Sequence, residues 1–313
     1  MTAFTEVATA KKFKSAFYSF SLILIVICFS ALLSPNISKY TKDGLSLCFN
    51  VVIGSVFPFM ILTDFISAYS CFDGIRVIRI GFEKLFKING YAVSAFLVGA
   101  LCGFPLGVKV AADLYRQGII SKNECERLIG FSNNTGPAFL ISGIGIGLRG
   151  SFSDGLILYF SMLISAIITG VLFSLGRLPT TQATERSIHK FSLPESVSRS
   201  VKNTLTVSGF VVLFSVISGI ISIFVKNPFL YSALLSLLEV SGASRFFADI
   251  SLFSRDFSLI LTSFAVSFAG FSVHMQAKSF FIGTDISMRI YYMEKLLQGL
   301  ISAFITSLVV FIL

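Results

Sequence analysis

The chain has no tryptophan, only two histidines, and charged residues at just 13% of its 313 positions. Each shortage excludes something. So few charges, against 54% hydrophobic residues, leave too little polar surface to cover a soluble fold of this length. His189 and His274 are far apart, and the five cysteines (Cys28, Cys48, Cys71, Cys102, Cys125) fall at no metal-ligand or redox spacing. There is no Walker A, G-x-S-x-G or H-E-x-x-H motif, so no catalytic constellation, metal or cofactor is expected and the chain reads as a non-enzyme. The glycines of Gly143, Gly145 and Gly147 lie inside an apolar run, where close helix packing explains them better than a dinucleotide loop.

What is present is a series of long uncharged runs: 15–33, 44–63, 88–108, 128–148, 155–176, 204–225, 257–273 and 296–313. Most approach the roughly 20 residues that cross a hydrocarbon core. The expected fold is therefore an all-α polytopic integral membrane protein with about eight membrane segments. Lys11, Lys12 and Lys14 precede the first run, which is too long for a signal-peptide core and reads as a retained anchor. The net charge of +9 follows the positive-inside rule better than nucleic-acid binding. On that rule the basic arm 1–14 and the loop 177–203, with Arg177, Arg186, Lys190, Arg199 and Lys202, are cytoplasmic. The segment 73–88 alternates basic and apolar positions at helical spacing and is expected to lie on the membrane surface.

Two apolar stretches contain backbone breakers. The first is Gly103-Phe104-Pro105-Leu106-Gly107-Val108-Lys109, and the second is Gly270-Phe271-Ser272-Val273-His274-Met275-Gln276. Lipid offers no partner for freed backbone groups, so breaks occur where protein or a water-filled cavity satisfies them. Paired breaks in two halves of one chain point to a carrier with a central site. We expect a first membrane repeat over 15–176 with a broken or re-entrant hairpin at 90–118, and a second over 204–313 with its hairpin at 257–283.

Several motifs occur in a family-like order over roughly 45–313. They are Val56-Phe57-Pro58-Phe59, the Gly103–Lys109 break, Glu124-x-Glu126-Arg127-Leu128, Phe131-Ser132-Asn133-Asn134-Thr135-Gly136-Pro137, Leu238-Glu239-x-Ser241-x-Ala243 and the Gly270–Gln276 break. On these residues the chain resembles the YlbJ (SpoVV) family of sporulation integral membrane proteins, of the wider gate or nucleoside-recognition group. The resemblance implies a role in endospore formation, in a mother-cell membrane around the forespore. It also implies carriage of dipicolinate, a small aromatic dicarboxylate.

The candidate substrate-binding residues are Gly103, Phe104, Pro105, Lys109, Asn133, Asn134, Thr135, Gly270, Ser272, His274 and Gln276. The helix starts after both breaks expose unpaired N–H groups to an anion. Lys109 either meets a substrate carboxylate or pairs with Asp113 one turn away. Asn133, Asn134 and Thr135 either bind substrate or cap the helix near Pro137. Asp64 and Glu239 are coupling-ion candidates, or interfacial caps. His274 is a proton-coupling group or a packing residue. The expected partners are a small anion and the bilayer, with no nucleic acid. Self-association, contact with other sporulation proteins, a scaffold role, and a nucleoside or iron pathway stay open.

Overall fold

The computed structural model describes residues 34–69, 76–177, 191–248 and 253–312. The arm 1–14, the run 15–33 and His189 lie outside them. Among the described residues the chain is all helical, with no strand. This is the form a single chain segment takes when lipid supplies no hydrogen bonds.

Four helices are long and apolar enough to cross a membrane: Phe152–Leu172 (α1), Leu193–Phe224 (α2), Arg255–Ser279 and Arg289–Ile312 (α3). A fifth span appears only if Arg76–Phe86 and Gly90–Cys102, bent by 101°, count as one. The expectation of about eight is corrected to four or five among the described residues. The reason is physical: several apolar runs break into pieces too short to span. The run 88–108 ends at a hairpin tip, and 128–148 breaks at Asn133 to leave the eleven-residue π helix Ala138–Leu148. α2 also begins well before its apolar run, at Leu193, with a proline in its first turn. Part of the expected loop 177–203 is therefore helix.

The first broken stretch folds back on itself as a helical hairpin. Helix Val93–Cys102 stops at Gly103, whose φ of +86° suits glycine, and Leu106–Arg116 returns beside it. A Cβ on Gly99 would lie 3.3 Å from Gly107 Cα and 1.8 Å from Ser132 O. The hairpin arms and helix Lys122–Ser132 thus touch backbone to backbone. That helix starts with the capping box expected of Ser121 and Glu124, and Glu124 also accepts from Asn89 N at 2.6 Å.

The second hairpin is not at 257–283. Arg255–Phe268 and Gly270–Ser279 form one 25-residue span with a hinge at Ala269 and Gly270, both at positive φ. A hairpin lies earlier instead, where Pro228–Leu238 and Val240–Phe247 meet at Glu239. Its arms pair symmetrically about that tip, with the Tyr231 and Phe246 rings 5.7 Å apart and Gly242 against Leu235.

The amphipathic helix Arg76–Phe86 docks through Phe82 and Phe86, and Phe86 stacks on Phe131 at 4.7 Å. Arg79 lies over the Tyr91 ring at 4.4 Å. At the start of α1 the buried Asp154 accepts from Arg149 Nε at 2.9 Å and from Arg255 Nη2 at 2.5 Å. Arg149 also reaches Ser258 Oγ at 2.6 Å, so this triad ties α1 to the Arg255–Ser279 span. Asp154→Ala should therefore destabilise the fold by about 3–5 kcal/mol, because Arg149 is left charged and buried. Thermal unfolding in detergent measures it, and an unchanged midpoint would show the triad to be dispensable.

Candidate functional site

The breaks converge. A cavity of about 160 Å³ is lined by Gly103 and Phe104 at the first hairpin tip and by Thr135 and Gly136 at the break after Lys122–Ser132. Its other walls come from Glu239, Val240 and Ser241 at the second tip and from Ser272, Val273 and Gln276 beyond the hinge. Each tip rests on one of the other breaks. A Cβ on Gly103 would lie 2.7 Å from Gly136 N, and one on Gly270 would lie 3.1 Å from Glu239 N. Glycine is needed at both, for closeness and for positive φ.

Four helices begin at these breaks. Those starting at Leu106, Ala138 and Gly270 receive no side-chain cap. The fourth, Val240–Phe247, is capped by Glu239, which accepts from Ser241 N at 2.9 Å and Gly242 N at 2.5 Å. Glu239 therefore acts as a cap within the cavity wall. The Ala138 and Gly270 starts leave N–H groups and positive dipole ends beside the cavity, where Ala138 and Ser272 form part of the lining, whereas Leu106 N donates to Gly103 O at 3.1 Å.

Of the sequence candidates, Gly103, Phe104, Thr135, Ser272 and Gln276 reach this cavity. Pro105 precedes the second hairpin arm, and Gly270 sits behind the second tip. Thr135 Oγ1 donates to Val266 O at 2.7 Å, and Gln276 Nε2 donates to Ser272 Oγ at 3.3 Å.

Asn133, Asn134 and His274 turn the other way, into a buried polar network. Asn133 Nδ2 donates to Tyr291 Oη at 2.8 Å, and His274 Nδ1 lies 3.0 Å from the same oxygen. Gln298 Nε2 donates to Asn134 Oδ1 at 2.8 Å. Lys295 Nζ donates to Asn133 O and to Gln298 Oε1, both at 2.8 Å. These groups support the break from behind instead of facing the cavity.

Lys109 also lies outside the central cavity. It pairs with Asp64, and with Asp113 at 3.1 Å. Asp64 in turn accepts from Ser196 Oγ at 2.8 Å and Arg199 Nη2 at 3.1 Å. This cluster borders a second, polar cavity of about 730 Å³. No group of three metal-ligating side chains occurs among the described residues.

Compared with known proteins, the chain is 28% identical over 306 residues to the sporulation integral membrane protein YlbJ of Bacillus subtilis (strain 168), covering 84% of this chain and 75% of that one. This likeness supports assigning the chain to the YlbJ family. The chain is an integral membrane protein. No family model and no solved structure matches it.

Four of the six motifs that carry the YlbJ resemblance are segments that break. Gly103–Lys109, Phe131–Pro137, Leu238–Ala243 and Gly270–Gln276 each contain one break, and each contributes to the central cavity wall. Sequence reasoning missed Tyr291, Glu294, Lys295 and Gln298, which are all fully buried. Their signal was legible: Tyr291, Lys295, Gln298, Ser302 and Thr306 recur at helical spacing on one face of α3. The Glu294-Lys295 pair at the head of an apolar run looks like an ordinary interfacial end, which hid it.

Proposed function

We propose that the chain is a sporulation membrane carrier for a small aromatic anion such as dipicolinate, moved without chemical conversion across a membrane between mother cell and forespore. One observation carries this reading: four backbone breaks line one cavity, and three of the helices starting there are uncapped. Discontinuous helices with their N-termini toward the substrate are a device of secondary carriers. The size agrees. A cavity of about 160 Å³ matches the roughly 150 Å³ apolar cavity that holds one benzene ring. The apolar wall takes the ring, and the uncapped N–H groups take the carboxylates. The order hairpin, broken helix, spanning helix occurs on each side of α2, which supports reading the halves as related repeats. On that reading the partner of the first hairpin is the Glu239 hairpin, and the partner of the Gly270 hinge is the Asn133 break.

A second reading has its own observation. No lysine or arginine lines the cavity, whereas Glu239 does. That suits a neutral ring, such as a nucleoside, better than a dianion. Uptake into vesicles containing the purified protein separates the two. The anion reading predicts saturable dipicolinate uptake that excess uridine does not inhibit. It also predicts that Gln276→Leu raises KM roughly tenfold, the loss of one hydrogen bond to a charged group. Uridine uptake without dipicolinate uptake would replace the first reading with the second.

A further inference from the structure

We propose that the polar cavity bordered by Asp64 and Lys109 is a second binding site for the same small dicarboxylate, in series with the central cavity. The proposal rests on the transport reading above.

Its size, about 730 Å³, lies within the roughly 300–1,000 Å³ of ligand pockets. Its position is the stronger argument, because four helical elements line both cavities in turn. Phe59 borders the central cavity, and Asp64 borders the polar one a turn further along the same helix. Phe104 and Lys109 have the same relation along the first hairpin, and so do Gln276 and Ser279 beyond the hinge. On α2 the pair is Val207 and Asn203. The buried Met60, Thr63 and Leu106 lie between these lining positions along their helices and form the septum, with Thr204 Oγ1 3.7 Å from Met60 Sδ. The two spaces are thus consecutive chambers of one path.

The charges of the polar chamber select an anion. Lys109, Arg116, Arg199 and Lys202 line it against Asp64, Asp113 and Glu195. Here Asp64 occupies the cations nearest the septum, holding both Lys109 and Arg199. A substrate carboxylate presents the same two oxygens as Asp64 and can exchange for it. The second carboxylate then meets Lys202 or Arg116, which are far more exposed than Lys109. The exchange frees Asp64 from its partners beside the septum, so filling the outer chamber loosens the wall of the inner one. The exposed Arg199 and Lys202 belong to the basic segment that the positive-inside rule makes cytoplasmic, which assigns the chamber to that face.

The test is equilibrium binding of radiolabelled dipicolinate to the full-length protein in phosphatidylcholine nanodiscs. Wild type should show two sites, the weaker one lost in 0.5 M salt, where screening shortens to a few Å. Arg199 is 63% exposed, so Arg199→Gln with Lys202→Gln should fold normally. The paired variant should keep one site and raise the KM for uptake about tenfold with the maximal rate retained. A single site indifferent to the paired substitution would overturn the outer site and leave the carrier reading standing. No binding at all would overturn both. Loss of the weaker site in phosphatidylglycerol nanodiscs alone would make its occupant a lipid headgroup, against the proposal.

Discussion

Lys295→Ala is expected to cost about 3–5 kcal/mol of stability, from two lost hydrogen bonds and the cavity left by a long buried side chain. Lys295 has no exposed surface, and its ammonium bridges the Asn133 carbonyl and the Gln298 amide. Removal frees both acceptors, and it takes away one of the two cations, Arg127 and Lys295, that act on the buried Glu294, which is pressed against Gly130. The Asn133 break loses its main support, so the thermal midpoint and uptake should fall together. Lys295→Met keeps most of the volume and isolates the polar part of the loss. Combining it with Glu294→Gln should recover some stability, because the buried carboxyl that remains, with neither oxygen hydrogen-bonded, is replaced by a neutral amide. Unchanged stability in both Lys295 variants would show that the network does not hold the break.

Gly99→Ala should be as damaging, through packing instead of charge. The new Cβ would lie 1.8 Å from Ser132 O and 2.9 Å from Ser132 C. Both are backbone atoms, so no side chain can rotate away. The first hairpin must separate from Lys122–Ser132, at about 3 kcal/mol or more for overpacking at such a contact. The cavity wall at Gly103 and Gly136 moves with it. Gly54→Ala is the control, since a Cβ there meets nothing within 4 Å. It should be neutral or slightly stabilising through helix propensity. Equal behaviour of the two variants, in unfolding followed by size-exclusion chromatography, would contradict the close approach.

The membrane class, the amphipathic helix within 73–88, the Ser121 capping box and the break at Gly103 were all legible in the sequence. They depend on local composition and spacing, which survive without tertiary knowledge. The number of spans was not, because an apolar run reads the same whether it crosses or turns back. The direction after a break is decided by contacts such as Gly99 on Ser132, distant in sequence. The same limit hid the different geometry of the breaks at Gly103 and Gly270. Both are Gly-Phe breaks, but one turns the chain and the other bends it. The true second tip, at Glu239, carries no glycine or proline at the turn itself. Lys109 was legible as an unusual charge, and its i,i+4 partner Asp113 as well, yet Asp64 comes from another helix. The α3 network was hidden by its ordinary-looking charged start.

Cys102 gives the most direct test that the central cavity holds the substrate. It lines that cavity and is partly accessible, whereas Cys48 and Cys125 are buried. In a protein with Cys102 as its sole cysteine, alkylation by a small thiosulfonate can be timed with and without dipicolinate. The account predicts that dipicolinate slows modification of Cys102 in proportion to its occupancy, and that modified protein no longer transports. Modification at the same rate with saturating dipicolinate present, in protein that still takes it up, would contradict it.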